Sequence, residues 1–312
     1  MKLLQTFFAI LTVSIGHSFA TDVQEAYREN ITITHPYVED ESDSAIEQVA
    51  PSQIDLDSDP SLLASSVFVV DPESGRILFE KNADSSKSIA SITKLMTAIV
   101  VLNASQSLQQ ILSVTQADAE VARPTHSRLR IGGKLSRGEL LRLMLMASEN
   151  RAAAVLARSF PGGVTHFVKR MNETALALGL FSTHFSDPTG LDAGNRSTAR
   201  DLAALVQHAS GYDVIRAYST TPEYAVALRG PRTTLFHNTN RLTRSTDWHI
   251  ELSKTGFISA SGQCLVLRAT VSGRSTVMVI LDSWGKGGRV NDAVRLRNWL
   301  EQRSNQWVVA RM

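Results

Sequence analysis

Apolar residues open the chain in one run and then thin out for about forty positions. Leu3 to Gly16 is apolar apart from Gln5, Thr6, Thr12 and Ser14; Lys2 precedes it, and Ser18-Phe19-Ala20 sets small residues at the −3 and −1 positions of a cleavage point. The pattern predicts a secretory signal peptide over residues 1–20, cut after Ala20. The run is short for a bilayer span, and no later segment approaches that length. Residues 21–62 are polar and without periodicity, with Pro36, Pro51 and Pro60. They predict an acidic, mobile leader, and residues 63–312 the folded domain.

Regular patterning starts at Ser66-Val67-Phe68-Val69-Val70, a turn at Pro72-Glu73-Ser74-Gly75, and Ile77-Leu78-Phe79, which predicts a β-hairpin. Helical spacing follows over Ser91–Leu102, Leu140–Ala147, Ala152–Arg158, Phe167–Leu178 and Thr198–Ala209. Ser136 with Glu139, and Thr198 with Asp201, hold capping-box positions. Ile250–Thr255, Gln263–Val271 and Thr276–Leu281 predict strands, Ser272-Gly273-Arg274 a tight connection, and Asp292–Gln302 a closing helix. Strands at both ends around a helix-rich middle predict an α/β (α+β) fold, one antiparallel sheet assembled from the two ends with helices packed on it. Little sequence follows the last helix, so no second domain is expected.

Composition changes this picture little. At 312 residues, 43% hydrophobic and 20% charged, the chain is ordinary globular material. Charge is uneven: residues 21–60 hold eleven acids and one base, so with Lys2 set aside residues 61–312 carry +11 of a formal net +2. A basic body suits an anionic polymer; export argues against nucleic acid. The single cysteine, Cys264, excludes an internal disulfide and lies in an apolar run that predicts a buried strand. The eight histidines lack zinc-peptidase spacing, so neither a metal nor a cofactor is expected.

Three short constellations carry the chemistry. In Ser91-Ile92-Thr93-Lys94, residues three apart at a helix start share a face, so the hydroxyl and amine can meet. Alone, that spacing also describes an N-cap serine followed by a surface lysine, and about one chance match is expected in a chain this long. Ser148-Glu149-Asn150 sits between two predicted helices, where Ser148 can relay a proton and Asn150 can bind a carbonyl; a polar turn looks the same. Lys254-Thr255-Gly256 ends a predicted strand, joining a fixed charge, a hydroxyl for a carboxylate and a residue that admits close backbone approach. Their order and contexts together leave chance as the minor explanation.

On these motifs the chain resembles the low-molecular-mass penicillin-binding proteins, the serine D-alanyl-D-alanine carboxypeptidase and endopeptidase family. The resemblance runs from about Ser65 to the end and includes Ile89–Thr97, Asp187-Pro188-Thr189-Gly190-Leu191, Ser197–Asp201 and Asn238–Leu242. Glu149 in the second motif, where carboxypeptidases more often show Gly, and Phe257 after Gly256, where they often place His, resemble the periplasmic endopeptidase branch. Ser88 stands where many relatives have proline.

The resemblance implies a β-lactamase/D,D-peptidase-like fold, Ser91 as nucleophile, Lys94 as its base and Ser148 as proton relay. It implies substrate binding by Asn150, Lys254, Thr255, Gly256, Phe257 and, by its spacing to Trp299, Arg289. The implied partners are peptidoglycan stem peptides and β-lactam antibiotics, with no nucleic acid and no transmembrane anchor after signal cleavage, in the periplasm. The implied reaction is hydrolysis of D-alanyl–diaminopimelate cross-links. Its alternatives are removal of terminal D-alanine alone and a non-catalytic wall-binding or β-lactam-sensing domain. A β-lactamase shares the three motifs, but no E-x-x-L-N segment lies between Asn150 and Lys254; penicillin is therefore expected to acylate Ser91 and stay.

Overall fold

The two ends of the folded chain meet in one sheet. The structure, a computed structural model, describes residues 59–122, 125–229 and 232–309. The expected signal peptide and the expected leader up to residue 58 lie outside the described residues. The antiparallel sheet runs in the order Ile77–Lys81, Ser66–Val70, Arg274–Ser283, Gly262–Val271, His249–Ile258. The earliest strand therefore pairs with the last, as expected from strands at both ends.

Both faces of this sheet are covered, which explains why its strands read as continuous apolar runs rather than as alternation. Val67, Val69, Leu265, Leu267, Met278 and Ile280 face one side, against Val290, Ala293, Leu296 and Trp299. Phe68, Cys264, Val266, Val277, Val279 and Leu281 face the helical middle. Cys264 is buried, as its strand context predicted, and burial pushes its thiol up to about 11. Phe79 meets Trp299 edge to face at 5.6 Å between centroids, a contact of about 1 kcal/mol beyond burial.

The helix Lys94–Asn103 is buried nearly all round, from Lys94 to Val101, so it is a core helix and not an amphipathic surface one. It packs against Arg137–Met146, Asn150–Arg158, Gly163–Ala177 and Ala199–Ala209. The Ser136 capping box forms in full: the Glu139 amide donates to Ser136 Oγ (3.1 Å) and the Ser136 amide to Glu139 Oε2 (2.8 Å). The Thr198 box forms only by half. Thr198 Oγ1 accepts from the Asp201 amide, but the Asp201 carboxylate accepts from the Ser182 amide and the Thr183 hydroxyl instead.

Three further departures have local causes. The closing helix runs Gly288–Val309, because Gly287 O accepts from the Val290 and Asn291 amides and starts the first turn ahead of Asp292. Buried Asp292 instead reaches outward, accepting from the amides of Leu63 and Ala64 and from the Ser283 hydroxyl, and so clasps the entry of the chain to the sheet. The hairpin Glu223–Arg229 with Arg232–His237 was not expected from the sequence. The Ser91 segment is the third, and it belongs to the site.

Candidate active site

Ser91 does not cap a helix. It lies inside the 3-10 turn Ala90–Thr93, and the α-helix begins at Lys94. In a 3-10 turn residues i and i+3 eclipse, which stacks the lysine directly on the serine. Ala90 takes a left-handed φ of 44° to enter the turn, and Thr93 Oγ1 closes it by donating to Ala90 O at 2.7 Å. Two glycines let other segments approach it. A Cβ on Gly256 would lie 2.9 Å from Ile89 O and 3.2 Å from the Ala90 Cβ, and one on Gly190 would overlap the Ala90 carbonyl.

Lys94 is fully buried, so it is no surface lysine. Its Nζ lies 2.7 Å from Ser91 Oγ and donates to Asn150 Oδ1 at 2.6 Å and to Thr189 O. Burial pulls its pKa from 10.5 down to about 7, against the opposing pull of the Asp187 and Glu149 carboxylates. A neutral amine has two N–H donors and one lone pair. With both donors engaged by the Asn150 and Thr189 oxygens, the lone pair is left for the Ser91 hydroxyl.

The Asp187–Leu191 segment shapes this pocket through its backbone. Asp187 Oδ1 accepts from the amides of Thr189 and Gly190 and from the Thr189 hydroxyl, while Oδ2 accepts from the Asp192 amide. Thr97 Oγ1 donates to Pro188 O at 2.7 Å, pinning the loop to the core helix. The loop was visible in the sequence, but the carbonyl it offers Lys94 is not a side chain and left no signal there.

Ser148 connects the helices Arg137–Met146 and Asn150–Arg158 with a left-handed φ of 58°, and its hydroxyl accepts from Lys254 Nζ at 2.9 Å. Buried Lys254 also donates to Thr255 O. Thr255 Oγ1 lies 2.6 Å from Thr239 Oγ1, and the Thr239 amide donates to Met146 O, joining the edge strand to the end of the Arg137–Met146 helix. Asn238 and Asn240 brace this link: Asn238 Nδ2 donates to Ser219 O and Thr221 O, and Asn240 Nδ2 to Ser253 Oγ. The Phe257 side chain is 39% exposed, past the end of the motif. Arg289, on the closing helix, donates from Nη1 to Gly256 O at 2.9 Å, which brings it to the same strand end.

Thr125, which the sequence did not single out, accepts from Asn150 Nδ2 at 3.1 Å. That bond orients the amide so that its oxygen meets Lys94. Buried Glu149 turns away from Lys94, accepting from Ser127 Oγ (2.7 Å) and the Arg128 amide (3.3 Å). Its burial raises its pKa, opposed by those two hydrogen bonds and by the charges of Arg128 and Arg151. Of the nine residues expected at the site, Ser91, Lys94 and Asn150 form one hydrogen-bonded group, Ser148, Lys254 and Thr255 a second, and Arg289 meets Gly256 at the strand end next to Phe257. Among the described residues no cluster could hold a metal ion, and no helix is long and apolar enough to cross a membrane.

The chain is similar to known proteins. The chain is 44% identical over 259 residues, 83% of its length, to a D-alanyl-D-alanine endopeptidase of Pseudomonas aeruginosa, covering 84% of that protein. It is 42% identical to the D-alanyl-D-alanine endopeptidase of Escherichia coli strain K12, covering 78% of this chain and 79% of the relative. The crystal structure of the Streptomyces K15 DD-transpeptidase superposes with a TM-score of 0.73 at 29% identity, over 78% of this chain and 98% of that one. The family described as D-alanyl-D-alanine carboxypeptidase matches residues 53–285. With a buried lysine on a serine at one side and a second lysine–serine pair at the other, the chain belongs to that family, the serine D,D-peptidases of the β-lactamase/D,D-peptidase-like fold.

Proposed function

We propose that this serine D,D-peptidase hydrolyses D-alanyl–diaminopimelate cross-links of peptidoglycan in the periplasm, through an acyl-enzyme on Ser91, and is acylated there by β-lactams. The observation that carries the mechanism is the Lys94 amine, buried, near neutrality and 2.7 Å from Ser91 Oγ. Endopeptidase rather than carboxypeptidase action is supported by the two relatives above 40% identity, both named endopeptidases, whereas carboxypeptidases of Escherichia coli are 31–32% identical.

Lys94 accepts the Ser91 proton as Oγ attacks the D-alanyl carbonyl. The backbone N–H groups of Ser91 and Phe257 stabilise the oxyanion. Asn150 holds the substrate amide, and Lys254 keeps the Ser148 hydroxyl directed so that it gives its proton to the leaving amine and recovers one from protonated Lys94. The C–N bond breaks, the amine leaves, and water attacks the ester to free Ser91 and the D-alanyl carboxylate. In a cross-link the leaving amine sits beside a free carboxylate, as the nitrogen of terminal D-alanine does. Thr255 and Arg289, at the end of the edge strand, receive that carboxylate.

A carboxypeptidase is the second reading, favoured by the family description itself. Digesting purified cross-linked muropeptides with the mature protein and its Ser91→Ala variant separates the two. Disappearance of dimers with the native protein only is the expected result. Loss of terminal alanine with dimers intact makes it a carboxypeptidase, and the same products from Ser91→Ala as from the native protein remove Ser91 as nucleophile.

A further inference from the structure

Three consecutive residues of the second motif hold one loop. Glu149 accepts from Ser127 Oγ and the Arg128 amide, Asn150 donates to Thr125 Oγ1, and Arg151 Nη1 donates to Leu129 O at 2.6 Å. The loop 125–129 is thereby fixed to the start of the helix Asn150–Arg158, next to Ser148. At its tip stands Arg128, whose side chain crosses to the hairpin strand Arg232–His237. There its Nη1 donates to Leu235 O at 2.6 Å, and its guanidinium carbon lies 4.1 Å over the centre of the Phe236 ring.

Those contacts hold Arg128 at both ends while leaving it solvent-exposed. A surface arginine ordinarily gives up side-chain entropy when it binds something. Here the Phe236 ring and the Leu235 carbonyl have ordered it already. Only one of its nitrogens is engaged: Nε and Nη2 have no hydrogen-bond partner among the described residues, and no carboxylate forms an ion pair with it there. Glu149, the acid nearest its backbone, is buried and satisfied by Ser127 and the Arg128 amide. The result is a stationary cation with a free pair of donors, on a loop tied to Asn150, which is itself two hydrogen bonds from Ser91. A planar guanidinium with two parallel donors matches a carboxylate.

We infer that Arg128 is a specificity-determining anchor for a free carboxylate on the acyl-donor stem peptide, separate from the strand end that receives the carboxylate of the leaving amine. The inference rests on the D,D-peptidase reading of the same site. It adds a second recognised charge, on the half of the substrate that becomes attached to Ser91. The group concerned is the free carboxylate on the side chain of the donor diaminopimelate, one residue before the D-alanine that acylates.

The test uses two synthetic cross-linked peptides that differ only in whether the donor diaminopimelate carboxyl is free or amidated. Arg128→Gln, which removes the charge but can still donate to Leu235 O, should raise KM for the free-carboxylate peptide roughly tenfold, the scale of one charge-assisted hydrogen bond, with kcat within about twofold. The amidated peptide should show the native protein a similar KM penalty and the variant none in addition. Penicillin acylation of Ser91 should be equal in native and variant protein. An equal loss on both peptides, or slower penicillin acylation, overturns the inference and makes Arg128 a strut between loop and hairpin. Failure of the underlying D,D-peptidase reading is separate: the native protein would then leave both peptides intact.

Discussion

Gly190 lies so close to the nucleophile turn that a Cβ built on it would sit 2.0 Å from the Ala90 carbonyl oxygen and 2.8 Å from the Ser91 nitrogen. The atoms it meets are backbone, which cannot rotate aside, and Gly190 holds a φ of +83° that side chains disfavour. Gly190→Ala must therefore move either the Asp187–Leu191 loop or the Ser91 turn. The loss of stability should be about 3 kcal/mol or more, the range of buried steric and left-handed strain together. Since the same loop presents Thr189 O to Lys94, penicillin acylation should slow more than tenfold even at temperatures where the variant is folded. Wild-type acylation with a changed melting temperature would show that the loop and the nucleophile are not coupled.

Much of this site is readable in the sequence because its chemistry sits in side chains at short, regular intervals. Ser91 and Lys94 need only an i, i+3 relationship, which either an α-helix or the observed 3-10 turn supplies. Lys254 and Gly256 alternate along a strand whose apolar neighbours announce it. What stays hidden is the backbone and the long-range contact. Thr189 acts through its carbonyl, and Thr125 reaches Asn150 across 25 residues of chain. The hairpin Glu223–His237 escapes notice because only Val226 and Phe236 are buried among its large apolar residues, so its strands carry no strong apolar pattern. The half-formed Thr198 box shows the same limit, since Asp201 finds better donors in Ser182 and Thr183, which no local pattern reveals.

Ser88 is a liability the fold tolerates. It is buried at the strand Lys87–Ser88, and its hydroxyl has no hydrogen-bond partner among the described residues. A buried polar group without a partner costs on the order of 1 kcal/mol or more. Ser88→Ala should therefore stabilise the protein by about 1 kcal/mol, a rise of roughly 3 °C in Tm for a domain of this size. Acylation by penicillin should be unchanged, because Ser88 touches none of Ser91, Lys94 or Ser148. A lower Tm would mean that the hydroxyl is satisfied after all.

The depressed pKa of Lys94 predicts two pH dependences with one origin. Acylation needs the neutral amine, so its rate should climb as pH rises through about 7 and level off above. The Glu149 carboxylate works against the depression, so Glu149→Gln should move that inflection to lower pH. Stability follows from the same shift. In the unfolded chain Lys94 keeps its proton up to about 10.5, whereas in the folded protein it gives it up at about 7. Between those values the unfolded state binds more protons, so Lys94 makes stability rise with pH across the window. Below pH 7 both states are protonated and the full cost of the buried charge is present. The Cys264 thiol acts in the opposite sense, because its folded pKa is raised from 9.0 to about 11 and it lowers stability as pH climbs between them. The clean interval is therefore pH 7 to about 8.5. Over that interval, denaturant unfolding of native protein should show stability increasing with pH more steeply than in Lys94→Met, whose buried side chain has no proton to lose. Parallel slopes in the two proteins would mean that Lys94 is charged in the folded state at neutral pH, and would leave Ser91 without its base.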